Sequence, residues 1–373
     1  MRKLSRPAAV TLAAATIISL GTACSPPEKK AEASGSKAAT ATSAADLGGL
    51  DALVAEAKKE GALNVIALPP DWANYGEIIK AFGDKYGIKV NSAQPDGSSQ
   101  DEINAATQLK GQDSAPDVFD LGMSVATANT AMFAPYKVST FDEIPADLKE
   151  ANGAYVNDYG GYMSIGYDSA KVPAPTSVAD LLKAEYKGKV ALNGDPTQAG
   201  SAFGGVQMAS IANGGTAEDI TKGVDFFGQL KKAGNFLPVD PSPTTIESGQ
   251  TPVVFDWDYL NAAQAKKTPT WKVFVPSNAV LGSYYTQAIN SDAPHPAAAR
   301  LWQEFLYSDE GQNLWLSGGA RPVRADAMTK AGTIDAATAA ALPKVEGTPV
   351  IPTEAQSTKA KEYLTANWAK AIG

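Results

Sequence analysis

Hydrophobic residues along this chain switch repeatedly between helical and strand spacing, and that alternation restricts the fold more than any single motif does. Leu50, Leu53, Val54 and Ala57 keep helical spacing up to Gly61, and Leu63-Asn64-Val65-Ile66-Ala67-Leu68 then reads as a buried strand. Ile78, Ile79, Phe82 and Tyr86 form a second helical stripe, with Gly87 suited to a left-handed cap, and Ile88 and Val90 open another strand. A helix over about residues 100–110 precedes Asp117-Val118-Phe119-Asp120-Leu121. The second half repeats the theme with Val190-Ala191-Leu192, a helix from about Ser201 to Gly214-Gly215, another carrying Val224, Phe227 and Leu230, and the strand Pro252-Val253-Val254-Phe255. Such alternation predicts an α/β fold of parallel βαβ units. From Leu47 to Gly373 there are 327 residues, more than one core usually supports, so two Rossmann-like lobes are expected. No short repeat is present, which argues against a solenoid. Two such lobes facing each other leave a cleft lined by strand-end loops, where α/β sheets place their ligands.

The N-terminus belongs to a different physical class. Arg2, Lys3 and Arg6 precede an uncharged run from Ala8 to Leu20, too short to span a bilayer comfortably, and then Gly21-Thr22-Ala23-Cys24. This is the pattern of a cleaved signal peptide over residues 1–23, so export is expected. Cys24 is the only cysteine, which rules out a disulfide within the chain, a CxxC pair and a thiolate cluster. The stretch resembles a bacterial lipobox, although Leu20 lies four residues before the cysteine and Gly21 stands where leucine is usual. Cys24 is therefore the expected lipidation site; the alternative is a plain secretory signal that leaves a free thiol. Residues 25–46 contain no Leu, Ile, Val, Phe, Tyr or Trp, so residues 24–46 read as a lipid-anchored flexible linker reaching roughly 25 Å.

Loss of Arg2, Lys3 and Arg6 with the leader takes the formal charge from −8 to −11, and so acidic a surface argues against nucleic acid as a partner. The chain has no GxSxG, HExxH or Walker A sequence. Its single histidine, His295, lies in Ala-Pro-His-Pro and reads as a surface turn rather than a ligand or a triad base. No cofactor and no resident metal are expected.

Several short segments fall in a recognisable order: Lys58-Lys59-Glu60-Gly61, Ala115-Pro116-Asp117-Val118, Tyr159-Gly160-Gly161-Tyr162, Glu185-Tyr186-Lys187-Gly188-Lys189-Val190 and Asp195-Pro196. Ala293-Pro294-His295-Pro296-Ala297-Ala298 and Phe305-Leu306-Tyr307-Ser308-Asp309-Glu310-Gly311-Gln312 continue it. In this order the chain resembles the extracellular solute-binding proteins of ABC importers, in the branch of ferric-iron, polyamine, thiamine and aminoethylphosphonate binders. The resemblance implies a type II periplasmic-binding-protein fold, with a two-strand hinge crossing near Tyr162–Tyr167 and Ser283–Ile289 and closure on ligand. It implies lobe 1 over residues 47–162 plus 284–326 and lobe 2 over 163–283 plus 327–373. The implied partners are a small molecule and the permease and ATPase subunits, with a lipid-anchored monomer at the extracytoplasmic face of the bacterial cell membrane or in the periplasm.

Candidate ligand-binding residues lie where unusual side chains meet strand ends. Asp71, Trp72 and Tyr75 follow the first strand; the alternative is that the rings only pack the loop on its own lobe. Ser98 and Ser99 stand at a helix start, where capping is the competing role. Ser124 occupies the corresponding place after the third strand in the family. Thr197 and Ser201 lie in a strand-to-helix loop suited to a polar group at a helix N-terminus. Phe255-Asp256-Trp257-Asp258-Tyr259 is the sharpest local signal, nominating Trp257, Asp258 and Tyr259; strand alternation would put both acids on one side and both rings on the other. Tyr162 and Tyr285 lie in the implied crossovers. Tyr284-Tyr285 is similar to the tyrosine pair of ferric-iron binders, yet in register only Tyr259 carries over from that pattern.

Arg300, Arg321 and Arg324 are the only arginines left after the leader, and none lies in these loops, so clamping of phosphate or carboxylate is poorly provided for. Trp, Tyr and Asp at several strand ends favour a polyamine-like organic cation. Ferric iron and aminoethylphosphonate are the alternatives within the same fold. A lipid-anchored glycoside hydrolase using Asp256 and Asp258 is the alternative outside it.

Overall fold

The computed structural model describes residues 37–373, so the leader, Cys24 and residues 25–36 lie outside the described residues. The first lobe begins with α1 (Lys37–Thr40), α2 (Leu50–Glu60), β1 (Ala62–Ile66), α3 (Tyr75–Tyr86), β2 (Lys89–Ala93), α4 (Ser99–Gln108), β3 (Val118–Gly122) and α5 (Met123–Ala128). Strand β4 (Tyr155–Asp168) then leads into β5 (Val190–Leu192), α6 (Gly200–Ala212), α7 (Thr221–Ala233), α8 (Pro243–Glu247), β6 (Val253–Trp257), α9 (Asp258–Lys267) and β7 (Trp271–Phe274). The chain returns through β8 (Gly282–Ile289), α10 (Pro296–Leu306), α11 (Asp309–Ser317), β9 (Arg321–Pro322), α12 (Ala325–Ala331) and α13 (Ala336–Ala340), and ends in α14 (Glu354–Ile372).

The expected helices and strands of the βαβ units form, and Gly61 and Gly87 take the left-handed conformation that ends α2 and α3. Pairs β1–β2 and β5–β6 are parallel, as the alternation predicts. The strands that join the lobes depart from it: β4 and β8 run antiparallel to their neighbours because they are crossovers and not parts of a βαβ unit. The first part of β4 pairs with β8 and β9, its second part with β6 and β7, so one continuous strand belongs to both lobes.

Helix α10 is buried along its whole length and forms the spine of the first lobe. Its N-terminal amides at Ala297 and Ala298 are capped by the Glu60 carboxylate at 3.0 and 2.8 Å, an acid at the positive end of a helix dipole. Burial nevertheless pushes the Glu60 carboxyl up to about 6. His295, just before α10, is not on a surface turn: its Nδ1 lies 2.9 Å from Asp117, which also accepts its backbone N–H. Asp117 is fully buried and ties the histidine to the third strand.

Two expected boundaries shift. The flexible linker cannot run to residue 46, because residues 38–44 are packed down: buried Arg300 donates to the carbonyls of Ala41 (2.8 Å) and Ala39 (2.9 Å), and Ala38, Ala41 and Ala44 are buried. Small side chains, read as too apolar-poor to fold alone, dock on a surface the rest of the domain supplies. The second lobe does not begin again at residue 327, because α12 and α13 stay with the first: Asn313 of α11 bonds both Thr333 and Asp335, and the Arg324 backbone N–H donates to the Gln312 side-chain oxygen. The chain crosses to the second lobe only after α13, over residues 341–353.

Candidate functional site between the lobes

Where the lobes meet, aromatic rings from five separate segments converge. Trp72, in the loop after β1, is edge-on to Tyr259 at 6.0 Å and to Tyr285 at 5.8 Å. Tyr159 of β4 stacks on Tyr285 of β8 at 5.4 Å and on Trp315 of α11 at 4.3 Å, and is edge-on to Tyr259 at 6.0 Å. Trp257 lies parallel to Tyr259 at 6.5 Å. Trp72 and Tyr159 are joined by a 2.8 Å bond from the indole N–H to the phenol oxygen. The sequence builds this cage from local strain and tight backbone approach. Ala73 and Asn74 hold positive φ angles of 45° and 73°, and the Asn74 amide is bound to Leu314 and Ser317, which fixes the Trp72 loop on α11. Gly161 lets the second lobe reach the crossover strand, since a Cβ there would lie 2.5 Å from the Asp258 carboxylate and 2.6 Å from the Tyr259 ring.

Two carboxylates flank the cage, one from each lobe. Asp120 of β3 accepts from Tyr159 Oη (3.3 Å) and Gln287 Nε2 (3.2 Å), and Asp256 of β6 accepts from Asn193 Nδ2 (2.8 Å) and the Trp257 N–H (2.8 Å). All of these partners are neutral. Burial pushes both carboxyls up to about 7, the hydrogen bonds opposing it only in part. Below Asp120, Gln287 Nε2 also reaches Asp158 (3.0 Å) and Tyr75 Oη (3.1 Å), and the Glu102 carboxylate accepts the Asp120 N–H. Asp158 and Glu102 are also raised by burial and by the neighbouring Asp120. The Tyr259 phenol is raised by burial first and then by Tyr285, Asp256 and Asp120, so both acids act on the same hydroxyl. Among the described residues that hydroxyl has no hydrogen-bond partner, and neither has the buried Trp257 indole N–H.

The structure brings Trp72, Trp257, Tyr259 and Tyr285 together and places the other candidates elsewhere. Asp71 is 83% exposed, 4.0 Å from Lys267 of the opposite lobe. Tyr75 is buried behind the cage, against Trp315 and Tyr159. Ser98 caps α4, and the Ser99 hydroxyl accepts the Gly122 N–H at 3.0 Å. Ser124 accepts from Lys361, Ser201 donates to the Asn193 carbonyl, and Thr197 bonds Asp195. Tyr162 lies under the Arg321 guanidinium at 4.9 Å. Asp258 is also committed: it pairs with Arg321 at 2.8 Å and accepts the Tyr162 N–H at 2.9 Å. Strand β6 ends at Trp257 and Asp258 opens α9, so the alternation that would set both acids on one side stops between them.

Asp120, Tyr159 and Gln287 are absent from the sequence-based set. Asp120 is an acid in the middle of an otherwise apolar strand, which is the signal that marks it.

A family model described as bacterial extracellular solute-binding protein matches residues 117–344. No curated protein sequence matches the chain. Among solved structures, iron-bound HitA from Pseudomonas aeruginosa is similar at 21% identity and a TM-score of 0.61, over 84% of this chain and 99% of that one. The binding protein AgtB of A. tumefaciens R10 in complex with agropinic acid is similar at 14% identity and a TM-score of 0.65, over 84% and 98%. The spermidine/putrescine ABC transporter substrate-binding protein PotD from Streptococcus pneumoniae is similar at 15% identity and a TM-score of 0.59, over 84% and 99%. These likenesses show the two-lobed periplasmic-binding-protein fold, and the family match over more than half of the sequence shows that this chain belongs to the bacterial extracellular solute-binding proteins.

Proposed function

We propose that this protein captures a small organic cation, polyamine-like in class, in the cage between its lobes and presents it to the permease of an ABC importer. The observation that carries this reading is the pairing of Asp120 and Asp256, buried acids from opposite lobes with neutral partners only, around rings that offer π faces. An ammonium group there gains cation–π attraction and supplies the counter-charge that both carboxylates lack. The arginines are engaged elsewhere: Arg300 with backbone carbonyls, Arg321 with Asp258, Arg324 with Glu143 and Asp309. That leaves an anionic head group without a guanidinium partner in the cage. Burial raises the phenols of Tyr159, Tyr259 and Tyr285, which disfavours the phenolates that ferric iron takes as ligands. The protein transports by binding and closure and performs no chemistry of its own.

The test is calorimetric titration of the soluble mature protein carrying Cys24→Ser with putrescine, spermidine, thiamine, aminoethylphosphonate and ferric citrate. An amine is expected to bind, more tightly as pH rises through about 7 and with protons released to the buffer. Tight binding of the phosphonate or of iron alone overturns the reading.

A further inference from the structure

Helix α14 touches both lobes. Most of its contact is with the second: Ala360 and Leu364 are buried, Trp368 packs edge-on against Phe227 of α7 at 5.5 Å, Ala371 lies beside Gly228, and Lys359 pairs with Glu218. The same helix also lies against α5 of the first lobe, and one of its side chains bonds across. Lys361 donates to Ser124 of α5 at 3.3 Å and lies 5.7 Å from the Phe203 ring of α6. Helix α5 follows β3 and packs on β3 and β8 in the first lobe, whereas α6 packs on β6 in the second. The Lys361 ammonium thus lies where the two lobes approach each other at the helix starts that follow β3 and β5.

The way the chain enters α14 strengthens this placement. After α13, which belongs to the first lobe, Pro343 accepts from Arg321, and Val350 makes a parallel bridge with Leu281 through bonds of 2.9 and 2.8 Å at the start of β8. Residues 341–353 are therefore a third connection between lobes that β4 and the segment before β8 already join. A hinge of two strands permits rotation, and a third connection ending in a helix fixed to one lobe and touching the other limits it. Opening the cleft would carry Ser124 away with the first lobe while Leu364 and Trp368 stay with α7, so the Lys361–Ser124 contact must break.

We propose that α14 is a strap that favours the closed arrangement of the lobes, with Lys361 as its point of attachment to the first lobe. Lys361 is half-buried and, among the described residues, no carboxylate pairs with it; burial alone lowers its affinity for a proton. A partner that is only a serine hydroxyl makes this attachment weak enough to release.

The experiment needs no solute, so its outcome is separate from the reading of the cage. Spin labels are placed on Lys89→Cys in the first lobe and Lys187→Cys in the second, in the mature protein with Cys24→Ser, and the interlobe distance is measured in two further variants. Ser124→Glu gives Lys361 the acid it lacks, and Ser124→Arg sets a like charge against it; neither alters the packing of α14 on α7. The distance distribution of S124E is expected at shorter values than that of S124R. Deletion of residues 354–373 should behave as S124R does. Superimposable distributions for S124E and S124R overturn the strap, whatever the deletion does to folding.

Discussion

A carboxyl group withdrawn from water and given only amide and phenol donors keeps its proton to a higher pH than an exposed one, and Asp120 and Asp256 both give theirs up only around pH 7. Asp256→Asn keeps the shape and removes the charge, so its consequences separate two roles. Relieved of a buried acid, the ligand-free variant is expected to melt higher than wild type above about pH 7, while its affinity for an amine falls by about 2–5 kcal/mol. Asp120→Asn should do the same, and parallel losses of stability and affinity in either variant would mean that the acid serves the fold instead. Gly161 sets the other residue-scale limit. Gly161→Ala places a methyl group inside contact distance of Asp258 and Tyr259, a conflict of about 1–3 kcal/mol that only separation of the lobes relieves. A lower melting temperature and a larger radius of gyration by small-angle scattering are the expected readouts.

At the scale of elements, the site is an effect of which strands are neighbours. Trp72 and Tyr259 lie just beyond β1 and β6, and strand ends can be read from local pattern because caps, glycines and apolar runs mark them, whereas Tyr285 lies inside β8 and is nominated through the implied crossover. Asp120, Gln287 and Tyr159 lie inside strands, and what they face depends on the order β3-β8-β4, which no periodicity reveals. A register shift between Asn157 and Gly160 adds to this: the bulge lets the consecutive Asp158 and Tyr159 reach Gln287 and Asp120 of the same network, where regular alternation would separate them. Asp258 misled for the same kind of reason, its partner Arg321 lying 63 residues away on β9. That ion pair joins the start of α9 to β9 and leaves Asp258 wholly buried, so Arg321→Met strands an acid and should lower stability by about 3–5 kcal/mol in denaturant titration. Because the burial of Asp258 already raises its carboxyl against the opposing pull of Arg321, the loss should be greater above neutral pH than at pH near 5, where the stranded acid can take up a proton.

Over the whole molecule, these local shifts add to one dependence on pH. Asp120 and Asp256 have folded-state values raised to about 7, and the rise means that the folded chain holds their protons more tightly than the unfolded chain does. Their stabilising contribution is complete below the ordinary carboxylate value near 4 and is lost as pH rises through about 7. Glu60, raised to about 6, loses its share slightly earlier, and His295, which burial lowers but Asp117 and the other nearby acids raise on balance, loses its share on the same side as it gives up its proton. The ligand-free protein should therefore melt at a higher temperature near pH 5 than near pH 8, the reverse of a protein whose acids are paired with bases in the native state. A bound amine replaces the lost protons with its own charge, so its stabilising effect should be small near pH 5 and large near pH 8. Thermal melts across that range, with and without putrescine or spermidine, give both slopes. A ligand-free protein that gains stability from pH 5 to pH 8 would place positive charge next to Asp120 and Asp256 already and would leave no unmet counter-charge for a cation to supply.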